Sequence, residues 1–141
     1  MSSYQAPRSP RDEIDGMLYF PRLCDKIRIH SEGKLDKDYI ENLGGGMDLW
    51  TCQFLGVDYN ELRVKVLSGL SDEAALTWAK ENGTPRDENE LAWWNQYMQT
   101  RGFRDDMADR LAFRKEEANW GDRDDIVTFF DFIDVDENRI E

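Results

Sequence analysis

The stretch PRLCDKIRIH, residues 21–30, places Arg22, Asp25, Lys26 and Arg28 within two helical turns. Arg22–Asp25 and Asp25–Arg28 are i,i+3 pairs, neighbours on a helix surface that contribute about 0.2–0.5 kcal/mol each when solvated. A solvated face of ion pairs is the favoured reading. The functional alternative is a cationic patch that receives an anion or the acidic end of the chain. Pro21 at a helix start would leave outward-pointing N–H groups beside Arg22, as anion sites require. The same stretch holds His30, the one histidine of the sequence. Cys24 and His30 stand about 120° apart around a helix axis, so they do not form a nucleophilic dyad there. His30 is expected at the helix end, half-buried or interacting with the last carbonyls.

The second acid–base cluster closes the chain, in DDIVTFFDFIDVDENRIE. At helical spacing Ile126, Phe129, Phe130 and Ile133 share a core face, and Asp124, Asp131 and Asp134 share another. DVDENR matches the opening of an EF-hand loop, but Arg139 stands where that loop needs a glycine. Looser cation binding by Asp131 and Asp134 with a remote ligand stays open. Crowded carboxylates raise one another's pKa, which general acid–base chemistry could use. No activated nucleophile, oxyanion donor or catalytic motif accompanies them. Carboxylates at a helix C-terminus oppose its dipole, at about 0.3–1 kcal/mol each when exposed. A cation is therefore expected to meet them, from Arg8, Arg11, Arg22 or Arg28.

Two further motifs carry weaker signals. GGGMD, residues 44–48, lacks the spacing and lysine of a phosphate-binding loop and reads as a tight connection. In LAWWNQYM, Leu91, Trp94 and Met98 form one stripe, with Trp93 and Tyr97 forming a second beside it. The favoured reading is a central helix packed on two sides; the alternative is an aromatic face that meets a ligand.

Composition bounds what these groups can be part of. The 141 residues are 40% apolar and 34% charged, which supports one core under a heavily charged surface. The net charge of −12 is uneven. Residues 1–70 carry 9 basic and 11 acidic residues (−2), and residues 71–141 carry 9 and 19 (−10). Such a field repels phosphate backbones, so no direct nucleic-acid binding is expected; a basic protein or a cation suits it. No apolar run approaches the length of a membrane span, and the start has no signal peptide. Two cysteines without an export signal fit reduced thiols in a cytoplasm. No cofactor motif is present, and two cysteines with one histidine at these spacings make no zinc site.

The elements that must position these residues read as helices. Ser9 as cap, Pro10 at the first helical position and the following acids open a helix through EIDGMLYF, ending at Pro21. Further helices are PRLCDKIRIHSE, stopping at Gly33; DKDYIENL; MDLWTCQFL, ending at Gly56; DYNELRVKVLS, capped by Asp58; and DEAALTWAKEN, capped by Ser71. Thr84-Pro85-Arg86-Asp87 opens the next, followed by RDDMADRLAFRKEEAN and DRDDIVTFFDFID. No useful period-two pattern appears. The expectation is an all-α fold: a poorly ordered arm over 1–8, one compact domain of seven or eight short helices over 9–137, and a tail over 138–141.

Several ordered motifs, SPRDE, FPRLCDKIR, GKL, FLGVDYNEL, NELAWWN, RGFRDD and RDDIVTFFDFIDVDE, resemble a family of short bacterial proteins known only as a domain of unknown function. The resemblance runs from about Ser9 to Glu137. It implies a small, acidic, helical bacterial domain and carries over no catalytic or ligand residues.

The candidate ligand or ion-pair cluster is thus Arg22, Asp25, Lys26, Arg28, Asp131 and Asp134. The leading functional reading is a non-enzymatic helical domain that binds a protein partner or a small, anionic ligand. The runner-up is a metal- or anion-dependent enzyme with a cleft between the Arg22–Arg28 helix and the acidic closing helix. A third, mimicry of DNA by the acidic surface, requires regularly spaced surface charge.

Overall fold

The computed structural model describes residues 4–139. Among them are a two-stranded hairpin, β1 (Glu13–Ile14) and β2 (Met17–Leu18), and eight helices. These are α1 (Phe20–Ser31), α2 (Lys37–Ile40), α3 (Met47–Leu55), α4 (Tyr59–Leu67), α5 (Asp72–Asn82), α6 (Glu88–Thr100), α7 (Ala108–Glu117) and α8 (Phe129–Asp136). The fold is predominantly α. The chain divides into two compact units, with the boundary inside α6 between Ala92 and Trp93.

The first expected helix does not form. Ser9 accepts from the backbone N–H of Arg11 and, through its carbonyl, from that of Asp12, which makes a single turn. Asp15 and Gly16 then both take positive φ, +50° and +80°. That pair of angles makes the tight turn whose twist matches an antiparallel hairpin, and Asp-Gly is one of the dipeptides that adopt it readily. Glu13 pairs with Leu18 and Ile14 with Met17. The local turn chemistry therefore overrides the cap and proline at 9–10.

In the first unit α1 packs against α4 and α5, and α3 packs against α4. Phe20, Leu23, Cys24 and Ile27 recur at helical spacing along α1 and are fully buried, together with Leu62 of α4 and Ala75, Leu76 and Ala79 of α5. Asp58 and Ser71 cap α4 and α5 as expected, each accepting from a backbone N–H three residues on. The turn after α5 crosses the end of α3 so closely that Thr84 N–H donates to Leu55 O at 2.9 Å. A Cβ on Gly83 would lie 1.9 Å from that same oxygen, so only glycine fits.

This crossing also moves the start of α6. The expected cap was Thr84 with Pro85 in the first turn, yet the helix begins at Glu88. Arg86 spends its Nε on Phe54 O at 2.9 Å and lies over the Phe54 ring. Asp87 becomes the cap instead: it accepts from Glu90 N–H at 2.8 Å while Glu90 accepts from Asp87 N–H at 3.1 Å.

In the second unit α7 and α8 pack together, and Leu111, Ile126, Phe132 and Val135 form a core cluster flanked by Trp120 and Phe129. Trp120 meets Phe132 edge-on at 5.4 Å. The Lys115 ammonium donates to the carbonyls of Arg123 at 2.7 Å and Ile126 at 3.0 Å, holding the loop that leads into α8.

Candidate functional site

The charged side of α1 is not a solvated face. Arg22 and Lys26 are buried, so the favoured expectation for this stretch is corrected. Lys26 extends inward to Asp48 of α3, with Nζ 3.0 Å from Oδ2 and 3.1 Å from Oδ1. Asp48 is wholly buried and also accepts from the Tyr19 hydroxyl at 2.5 Å and from Gly44 N–H at 3.0 Å. Every oxygen of the carboxylate is thus hydrogen-bonded, the condition under which a buried ion pair is tolerated. The Gly44 amide points at Asp48, so this end of the triple-glycine loop serves a protein carboxylate rather than a bound phosphate. Tyr19 holds its place at φ +75°, a conformation that disfavours a side chain, and burial with the nearby Asp48 charge raises its hydroxyl pKa well above normal. Close by, the Tyr59 hydroxyl is buried without a hydrogen-bond partner among the described residues.

The remaining α1 charges are collected by the N-terminal segment and α5. Arg8 donates through Nε to Asp25 at 2.8 Å and pairs with Asp72. Arg28 stands 2.7 Å from Asp72 and 3.7 Å from Asp25, and donates to Leu70 O at 3.1 Å. Two guanidinium groups therefore face two carboxylates in a charge-balanced square. Burial alone would raise the Asp72 carboxyl, but the hydrogen bonds from Arg8 and Arg28 prevail and hold it below its ordinary value. Arg22 donates to Arg8 O at 3.0 Å and lies over the Tyr39 ring. Within the expected arm, residues 4–8, Gln5 N–H bonds Lys34 O and Pro7 is buried; residues 1–3 lie outside the described residues, as do 140 and 141 of the expected tail.

At the acidic close the helix starts later than its periodicity implied. α8 begins at Phe129, so Asp124 precedes the helix and shares no helical face with Asp131 and Asp134. Thr128 is the cap: its hydroxyl accepts from Asp131 N–H, and Asp131 accepts from Thr128 N–H at 3.2 Å. Asp131 therefore sits in the first turn, where the dipole favours a negative charge. Asp134 is buried, and Arg139 of the following turn donates to it at 3.2 Å. The core face is also redrawn: Phe130, Phe132 and Val135 are buried, whereas Phe129 and Ile133 are half-buried. Ile126 is buried from the loop.

Of the predicted cluster, Arg28 and Asp25 come together with Arg8 and Asp72, Lys26 goes to Asp48, and Asp131 and Asp134 lie in the second unit with the local partners just given. Sequence reasoning missed Asp48, although a signal existed: it is the one charged residue in the apolar helix MDLWTCQFL. Both cysteines are buried. Burial raises the Cys24 thiol far above its ordinary value and, helped by Asp48, pushes that of Cys52 up to about 12. His30 lies half-buried in the last turn of α1, where its charge would complement the dipole.

The largest departure concerns α6. Trp94 and Met98 are buried as expected, but Trp93 is 69% exposed and Tyr97 44%. The second aromatic stripe is therefore not packed, and the favoured reading of a helix buried on two sides is corrected. The Arg101 guanidinium lies 4.7 Å from the centre of the Tyr97 ring and is itself anchored to Asp106 at 2.7 Å and Asp105 at 3.2 Å. The exposed stripe is thus Trp93 and Tyr97, one turn apart, with the buried Arg101 guanidinium behind the Tyr97 ring.

Among the described residues, eight short helices, inward-facing ion pairs and an outward-facing aromatic stripe define a small helical domain. Residues 4–139 match the family described as Domain of unknown function (DUF5069), and the chain belongs to that family. No curated protein matches it. Among the described residues no helix is long and apolar enough to cross a membrane.

Proposed function

We propose that this protein is a protein-binding domain that presents the Trp93–Tyr97 stripe of α6 to a partner. The observation that carries the reading is the exposure of Trp93, with Tyr97 on the next turn. Leaving a large aromatic surface in water forgoes the roughly 1.5–3 kcal/mol that burying such a side chain contributes. Trp and Tyr are also among the residues that most often dominate interface energetics. Arg101 is locked by two carboxylates and covers one face of Tyr97, so part of the stripe is preorganised and loses little entropy on docking.

The test uses the wild-type domain and a Trp93→Ala/Tyr97→Ala variant as parallel baits, with their thermal melts compared to show that the fold is kept. The expected result is a discrete protein retained by the wild type and reduced at least about tenfold by the variant, a difference of about 1.4 kcal/mol. Equal retention by both baits, or retention by neither, overturns the proposal.

A further inference from the structure

A second surface, in the first unit, is independent of α6. Between α4 and α5, joined by the short turn at Ser68–Ser71, runs an open groove of about 620 Å³. It continues into an almost wholly apolar recess of about 340 Å³. Trp78 lines both, and Val64, on the rim of the recess, is exposed. The Lys65 ammonium already sits 6.0 Å from the centre of the Trp78 ring, so this aromatic face accepts a cation.

The rims carry the opposite charge. Glu61 lies on the α4 side and Glu73 and Glu81 on the α5 side. Among the described residues none of these three carboxylates has an ion-pair partner, unlike Glu90, which pairs with Arg86. Glu73 and Glu81 are two turns apart, about 12 Å along the helix axis, with Trp78 between them. This arrangement complements a ligand with an apolar residue at its middle and a cation about one turn to either side. A second copy of this chain, at a net charge of −12, is repelled.

We infer that the α4–α5 groove docks a basic amphipathic helix of a partner protein. An apolar side chain of that helix enters the Val64–Trp78 recess, and its flanking lysines or arginines reach Glu73 and Glu81, as in helix-in-groove recognition. Lys65 lies over the Trp78 face until the partner's apolar side chain displaces it.

The probe is a fluorescent synthetic helix with a leucine flanked by lysines one turn away on either side, compared with a scrambled peptide of the same composition, at physiological salt. The expected result is anisotropy binding at least about tenfold tighter for the amphipathic peptide. Glu73→Gln/Glu81→Gln, a surface change that spares the fold, and Trp78→Phe should each weaken it; Lys65→Ala, which clears the ring, should strengthen it. Trp93→Ala should leave it unchanged, separating this groove from the α6 stripe. Equal affinity for the scrambled peptide, or affinity indifferent to the Glu73/Glu81 pair, overturns the inference, because only non-specific charge attraction would then remain.

Discussion

Lys26 Nζ lies 3.0 Å from Asp48 Oδ2 inside the first unit, with the lysine 6% exposed and the aspartate not at all. The pair ties α1 to α3 and recruits Tyr19 and Gly44 to the same carboxylate. Removing one partner of a buried pair strands the other charge, at about 3–5 kcal/mol. Asp48→Ala should therefore lower the midpoint of urea unfolding by that equivalent, and Lys26→Met/Asp48→Leu should recover most of it. A double variant as unstable as the single one would show that the pair is not what links these helices.

Acid should loosen the Arg8–Asp72–Arg28 contacts. The folded carboxyl of Asp72 is lower than its unfolded value, ordinarily about 3.9. The unfolded chain then binds the proton first, so the contribution is complete above about pH 5 and lost as the pH falls through 3.9 towards the folded value. Urea midpoints measured from pH 6 down to 3 should fall with acid, and Asp72→Asn should flatten the part of that slope this carboxyl supplies. An unchanged slope in the variant would remove Asp72 from the account.

The two thiols should be silent in the native state. Both are buried, and both are held in the protonated form. A thiol-reactive chromogen should react with Cys24 and Cys52 only as fast as the domain opens, and immediately in denaturant. Rapid labelling without denaturant would contradict the burial of α1 and α3.

The cap of α8 should be worth about 1 kcal/mol. Thr128→Ala removes the acceptor for Asp131 N–H, while Thr128→Ser keeps it. Alanine should lower the unfolding midpoint accordingly and serine should not, as read by thermal melts. Equal midpoints would assign the start of α8 to packing of Phe130 and Phe132 alone.

At Gly83 the expected loss is larger. An added methyl meets the Leu55 carbonyl, which is backbone and already bonded to Thr84 N–H. Gly83→Ala should cost at least about 1–3 kcal/mol, measured as the shift in urea midpoint. A neutral effect would mean that the α5–α6 turn can slide off α3.

Most elements were legible because they rest on local chemistry. Asp58 and Ser71 cap their helices through their own side chains, and Gly33 and Gly56 follow the residues where α1 and α3 stop. These interactions span a few residues, so sequence order alone contains them. The misread hairpin was also local: Asp15-Gly16 carried a turn signal that a cap and a proline masked.

What the sequence by itself determined is a helical chain with buried aliphatic stripes, an excess of carboxylates and two thiols among apolar neighbours. Tertiary structure alone decided which charges turn inward. Lys26 and Asp48 are 22 residues apart, Arg8 and Asp72 64, and nothing in either segment names its partner. It also decided that Trp93 and Tyr97 face water while Trp94 does not. Helical periodicity places side chains on faces, but whether a face is covered depends on which distant residues fold against it.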